Sequence, residues 1–195
     1  MTVRIVTVCT GNICRSPYAQ LLLAHRLEEI RPGAFEVSSL GTSALIDQGV
    51  DPGSARLLEA AGIAYHGFLA RQISEQLLAD IDLVLPLTVE HRRLVLSYAP
   101  QLLKRTFTLK EMARLIASAD SRRPWSERLA DAMTPQERWS TITAEIVRER
   151  GMTRVEDGAD DVADPYRRGD AAFDTMGQEI AAAVATIVEL ERLGG

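Results

Sequence analysis

The sequence predicts an α/β fold: a three-layer sandwich with a four-stranded parallel sheet and helices on both faces. Three observations predict it. Short apolar, β-branched runs alternate with helix-period segments through the N-terminal half, the pattern of strand–crossover–strand units with right-handed connections. The first run reads as a strand buried on both faces. Turn residues punctuate the boundaries between runs.

Each element follows in order. Val3-Arg4-Ile5-Val6-Thr7-Val8 is the first strand, bounded by Thr10-Gly11-Asn12. A helix is expected from Pro17, with Ser16 as N-cap and proline at the first helical position. Its inward face would carry Leu21, Leu22, His25 and Leu27, and Arg31-Pro32-Gly33 stops it. Phe35-Glu36-Val37-Ser38-Ser39 is the second strand. Residues 54–62 form a short helix with a glycine terminus, and a helix over 74–80 leads to the strand Ile81-Asp82-Leu83-Val84-Leu85. A helix over 88–98 follows. Thr106-Phe107-Thr108-Leu109 supplies a further extended segment before a helix at 110–118. Residues 119–131 are polar, without clear periodicity, and read as a surface excursion. Thr134-Pro135-Gln136-Glu137 has capping-box spacing, so a helix runs from 135 to about 149. The acidic run 156–161 is loop, and an amphipathic helix over 171–193 places Met176, Ile180, Val184, Ile187 and Val188 on one stripe.

Composition sets outer limits. A chain of 195 residues fits one domain over 1–195, with 119–155 as a loop and helical insertion. Hydrophobic residues at 46% and charged residues at 25% are ordinary for a globular protein. A net charge of −5 argues against nucleic-acid or membrane-surface binding, since both call for a basic face. No run approaches the ~20 apolar residues of a membrane span, and Met1-Thr2-Val3-Arg4 lacks a signal-peptide h-region. Two cysteines and three histidines are too few for a structural zinc cluster. The expectation is a cytoplasmic protein with no metal and no cofactor.

The chemistry concentrates in Cys9-Thr10-Gly11-Asn12-Ile13-Cys14-Arg15-Ser16-Pro17. A loop between a strand and a helix N-terminus gathers backbone N–H groups at the positive end of the helix dipole, which makes an anion-binding nest. Gly11 and Asn12 tolerate left-handed backbone, and Arg15 grips two phosphate oxygens with its planar fork. Cys9 at the strand end would face the same cradle, its thiolate stabilised below the ~8.5 of a free thiol. These residues make a nucleophile that attacks phosphorus. A nucleotide-binding loop is excluded because Gly-x4-Gly-Lys-Ser/Thr is absent, and a thioredoxin-type motif because four residues separate the two cysteines. Ser16 would hydrogen-bond the Cys9 sulfur and Asn12 would pin the loop. A disulfide between Cys9 and Cys14 would guard the nucleophile against overoxidation.

This nine-residue run closely resembles the signature of the low-molecular-weight protein tyrosine phosphatases. The resemblance continues in Gly41-Thr42-Ser43, Ala70-Arg71-Gln72 and Asp82-Leu83-Val84-Leu85, and ends at Asp164-Pro165-Tyr166. It covers residues 3–100 and about 160–192, leaving 119–155 outside the family's usual length. The resemblance implies a single phosphatase domain acting on a phosphotyrosine-containing protein or another phosphate monoester, through a phosphocysteine intermediate, with inorganic phosphate as product. It implies Cys9, Arg15 and Asp164 as catalytic residues. Thr10, Gly11, Asn12, Ile13, Cys14, Arg15, Ser16 and Tyr166 would contact the substrate, with Ser43 in support. Asp164 would act as general acid and then as base, its pKa raised by Asp160, Asp161 and the bound phosphate. No metal is required, because the loop's donors and guanidinium meet the developing charge.

Two departures concern the substrate. The family's large aromatic after Gly-Thr-Ser is replaced by Ala44-Leu45-Ile46, and Tyr166 is followed by Arg167-Arg168 instead of a second aromatic. Stacking on Tyr166 survives, and the arginines would favour acidic substrates. Trp125 and Trp139 are expected to pack, and His66 receives no role. Two alternatives stand beside the phosphatase, which is expected as a monomer. An arsenate reductase on the same scaffold lacks the downstream cysteines it would need here. A non-catalytic phosphate- or phosphopeptide-binding module has no use for a nucleophile and an acid.

Overall fold

The computed structural model describes residues 2–132, 134–153 and 155–193; Met1, read above with the N-terminal segment, lies outside them. Strand β1 (Val3–Cys9) runs up the middle of a parallel sheet of order β2-β1-β3. It pairs in register with β2 (Phe35–Gly41), from Val3 opposite Phe35 to Cys9 opposite Gly41. On its other edge lies β3 (Leu83–Pro86), with Val8 opposite Pro86. Alternate β1 side chains enter two different cores, as the period-2 geometry of a strand requires. Val3, Ile5 and Cys9 join the larger one and Val6 and Val8 the smaller.

The larger core is packed by α1 (Arg15–Ile30), α2 (Pro52–Ala60), α5 (Leu109–Arg122), α7 (Pro135–Arg150) and α8 (Asp170–Arg192). The smaller is closed by α3 (Glu75–Leu78), α4 (Val89–Tyr98) and a 3₁₀ segment (Pro100–Arg105). The strand count is corrected from four to three among the described residues. Thr106 makes one isolated parallel bridge to Val84, and the Phe107 N–H donates to the Val84 carbonyl at 3.1 Å. No strand grows from there. The 3₁₀ segment ends at Arg105, and Thr108 already caps α5 in a reciprocal capping box with Glu111.

Three further expectations change. Helix α1 begins at Arg15 with Cys14 at its N-cap, because the Ser16 hydroxyl turns into the loop instead of capping. His25 is not on the inward face: it is 40% exposed and pairs with Glu29, while Tyr18 and Leu23 take the buried positions. Residues 119–131 are also more than an excursion. Helix α5 continues to Arg122, and α6 (Trp125–Arg128) lays Trp125 into the core, 1% exposed, with its indole N–H on the Ile116 carbonyl. Two element boundaries fall between Ala119, Trp125 and Leu129, all buried, and break the periodicity that would reveal them. Helix α7 starts at the predicted capping box and buries Trp139, Ile142 and Ile146, each contributing about 1.5–3 kcal/mol of apolar burial. Among the described residues, no helix is long and apolar enough to cross a membrane.

Candidate active site

Residues 9–16 form a loop between the end of β1 and the first turn of α1, at the C-terminal edge of the sheet. This is where open parallel sheets place ligands. The loop's shape is fixed from behind. Asn12 adopts a left-handed backbone with φ 54°, whereas Gly11 needs no such freedom. Asn12 Nδ2 donates to Ser16 Oγ and to Ser39 Oγ, both at 2.8 Å, and its Oδ1 accepts the Arg71 N–H at 2.8 Å. Asn12, Ser16 and Ser39 are fully buried, so these bonds are exchanged with no water. Ser16 Oγ in turn lies 3.0 Å from Cys9 Sγ. With Asn12 donating to Ser16 Oγ, the Ser16 proton can point at the sulfur at 3.0 Å, the shorter of its two acceptor contacts beside the Leu40 carbonyl at 3.5 Å. Ser39, read above as part of the second strand without a role at the site, shares β2 with Glu36 and Ser38, so its polarity alone did not single it out.

The motifs that flank the loop have physical counterparts. Gly41 is required because a Cβ there would sit 2.6 Å from the Thr10 carbonyl oxygen and 2.9 Å from Ala44. Gln72 braces the following turn, its amide donating to the Thr42 carbonyl and its oxygen accepting the Ala44 N–H. Ser43 donates its backbone N–H to the Thr10 carbonyl at 3.0 Å; its support of the loop is through the main chain. On the opposite side the Ser54 hydroxyl donates to the Cys14 carbonyl, and the Asp51 N–H donates to Ile13. Burial, helped by Asp51, raises the Cys14 thiol well above its ordinary range, so it stays protonated.

Asp164 reaches the loop from the far end of the chain. Its Oδ2 lies 3.0 Å from a guanidinium nitrogen of Arg15, which is itself 7% exposed, and its Oδ1 accepts the Tyr166 N–H. The segment before it is tied down at every residue. Asp160 is held by Arg114 in a two-pronged ion pair at 3.0 and 2.8 Å, and its carbonyl accepts from Thr108. Asp161 Oδ1 takes the Val89 N–H at 2.7 Å, while Val162 N–H donates to Leu87 and its carbonyl faces Arg15. The Ala163 N–H donates to Glu179. Asp160 and Asp161, expected in a solvated acidic run, therefore serve as anchors.

Cys9, Arg15 and Asp164 line one cleft of about 190 Å³ with Thr10, Gly11, Ile13, Cys14, Ser43, Leu45 and Tyr166. Asn12 and Ser16, expected as contacts, stand behind the loop with their side chains turned from the cleft. Leu45 and Tyr166 are both part-exposed walls, and the Arg167 guanidinium lies 5.1 Å over the Tyr166 ring. His66 stacks on Tyr65 outside the cleft. His91, a residue sequence reasoning passed over, is buried beneath Thr10, with its Nε2 2.9 Å from Thr10 Oγ1.

The family model described as low molecular weight phosphotyrosine protein phosphatase matches residues 4–138. The chain belongs to this family. Among similar family proteins is the low molecular weight protein-tyrosine-phosphatase Wzb of Salmonella typhi, 35% identical over 99 residues, covering 51% of this chain and 63% of that protein. Wzb of Escherichia coli K12 is 36% identical over 98 residues, covering 50% and 63%. The matched stretch thus spans less than two thirds of these relatives' length. Solved structures share the fold of this family member. The sulphate complex of Wzb from Escherichia coli K30 aligns with a TM-score of 0.65 at 23% identity, covering 97% of this chain and 98% of that one. YwlE arginine phosphatase from Geobacillus stearothermophilus aligns with a TM-score of 0.66 at 23% identity, covering 96% and 91%.

Proposed function

We propose that the chain is a metal-independent phosphate monoester hydrolase, a protein-tyrosine phosphatase acting through a phosphocysteine intermediate. The observation that carries the reading is the convergence of Cys9, Arg15 and Asp164 on one cleft, with Ser16 aimed at the sulfur. The phosphate dianion binds among the loop's N–H groups and takes the Arg15 fork. The Cys9 thiolate attacks phosphorus in line; the sulfur–phosphorus bond forms as the ester oxygen leaves with the Asp164 proton. Asp164, now a carboxylate, takes a proton from water. That water's oxygen displaces the thiolate and inorganic phosphate is released. Ser16 stabilises the sulfur as attacking and as leaving group.

The walls made by Leu45 and Tyr166 suit a flat aromatic ring, which favours an aryl phosphate among the candidate monoesters. The reading takes the enzyme to be monomeric. A thiol nucleophile needs reducing surroundings, which supports a cytoplasmic one. The reading treats residues 1–195 as one phosphatase domain, with the 119–155 insertion built into its body through Trp125, Trp139, Ile142 and Ile146. It tells against an arsenate reductase and against a binding module.

The test is hydrolysis of p-nitrophenyl phosphate, phosphotyrosine, phosphoserine and phosphoarginine side by side, in buffer without added metal. Aryl phosphates should turn over fastest, and Cys9→Ser should lower the rate by about four orders of magnitude. Equal rates for wild type and Cys9→Ser would sink the proposal.

A further inference from the structure

The first turn of α4 touches both halves of the cleft. Thr88 is the N-cap of this helix, and its Oγ1 accepts the His91 N–H at 3.2 Å. The His91 ring then bridges two hydroxyls, with Nδ1 2.9 Å from Thr88 Oγ1 and Nε2 2.9 Å from Thr10 Oγ1. One residue into the same helix, the Val89 N–H holds the Asp161 carboxylate at 2.7 Å, three positions before Asp164. The helix is itself fixed from behind by Arg92, paired to the buried Glu111 at 2.8 Å.

We propose that His91 is a positioning residue: by holding Thr10 it sets the anion loop at a fixed spacing from the Asp164 segment, which the same helix turn carries. The inference rests on the phosphatase reading for what the loop binds. Thr10 directly follows Cys9 and lines the cleft, and its carbonyl accepts the Ser43 N–H. The loop is braced towards β2 by Asn12 and towards α2 by Ser54 and Asp51. The bond from Thr10 to His91 is its side-chain brace towards α4 among the described residues.

The ring is well suited to this. It is 5% exposed, and burial and the Arg15 charge outweigh the pull of Asp164 and Asp161, lowering its pKa to about 4. At neutral pH it carries one proton, and either tautomer satisfies both contacts. With the proton on Nε2 the ring donates to Thr10 and accepts from Thr88; with it on Nδ1 both directions reverse. A neutral ring also avoids placing a second positive charge against the Arg15 guanidinium.

The experiment measures phosphate affinity by calorimetry, together with KM and kcat for p-nitrophenyl phosphate. His91→Ala should weaken phosphate and raise KM together by about tenfold and lower kcat by a comparable factor, since a freed loop loses both its nest and its spacing from Asp164. His91→Gln, whose amide reaches the place of Nε2, should stay within about threefold of wild type. Thr10→Val should match His91→Ala, and the double variant should be no worse than either single one, as for two residues sharing one bond. A structural role alone would lower thermal stability while leaving phosphate affinity per folded molecule unchanged. That result in His91→Ala overturns the proposal. If His91→Ala does not fold, unchanged phosphate affinity in Thr10→Val overturns it instead. Wild type that binds phosphate without turnover would remove the phosphatase reading and leave this inference standing; wild type that does not bind phosphate would remove both.

Discussion

The 9–16 loop and the 160–166 segment bring their side chains within 3.0 Å of each other, yet they are held in opposite ways. The first is short and mostly buried, and its centre is braced by itself and by adjacent β2: Asn12, Ser16 and Ser39 form a buried polar cluster. The second is a mostly polar segment whose contribution to the hydrophobic core is Val162. It is hung from Leu87 in the β3–α4 loop, Val89 of α4, Thr108 and Arg114 at the start and in the body of α5, and Glu179 of α8. A loop of the first kind resists deformation because any shift leaves a buried polar group unpaired. One of the second kind depends on how accurately its distant anchors are placed.

That contrast can be broken from either side, beginning with the largest effect. Asp164→Asn should leave phosphate affinity near wild type but lower kcat on a phosphotyrosine peptide by roughly 10²–10³-fold. The loss should be smaller with p-nitrophenyl phosphate, whose leaving oxygen is less basic; equal losses on both substrates would contradict general-acid catalysis.

Next comes Asn12→Ala, which removes three hydrogen bonds and forces alanine to φ 54°. Urea unfolding should show about 2–3 kcal/mol lost, a far larger cost than any single anchor of the acid segment would carry. Arg114→Ala cuts the two-pronged anchor on Asp160. It should lower kcat by about tenfold through misplacement of Asp164 while phosphate affinity stays within about twofold. A change in phosphate affinity there would show the two loops to be mechanically one.

The last effect is a pH dependence. His91 has its folded pKa lowered from 6.5 to about 4, so the unfolded chain takes up its proton first as the solution is acidified. Its contribution is intact above pH 6.5 and is lost as pH falls towards about 4. His91→Gln should therefore show a flatter fall in urea midpoint between pH 7 and about 4.5 than wild type. Parallel profiles would mean the histidine is not held neutral.

Much of the nucleophile side was legible beforehand because its information is local. A strand, a turn and a helix start occupy one contiguous stretch, and the dipole, the nest and the thiol follow from residue types alone. Even there the reading erred on Ser16: the same hydroxyl that favours an N-cap in isolation is drawn to Cys9 once Asn12 supplies a second donor. The fourth strand failed for a related reason. Thr106-Phe107-Thr108-Leu109 has strand composition, but the strong capping box at Thr108 starts a helix after only two extended residues. His91 was invisible because a histidine on a helix gains meaning only from what lies above it.

By itself, then, the chain determined the parallel α/β plan and the loop after β1, with the residues proposed as its nucleophile and arginine, all encoded within a few neighbouring residues. The tertiary structure alone decided where Asp164 stands, that Asp160 and Asp161 are anchors instead of solvated charge, and that Trp125 lies in the core. It also decided that His91 meets Thr10. Those are contacts between residues far apart in sequence, and their energy depends on burial and on partners that no local pattern records.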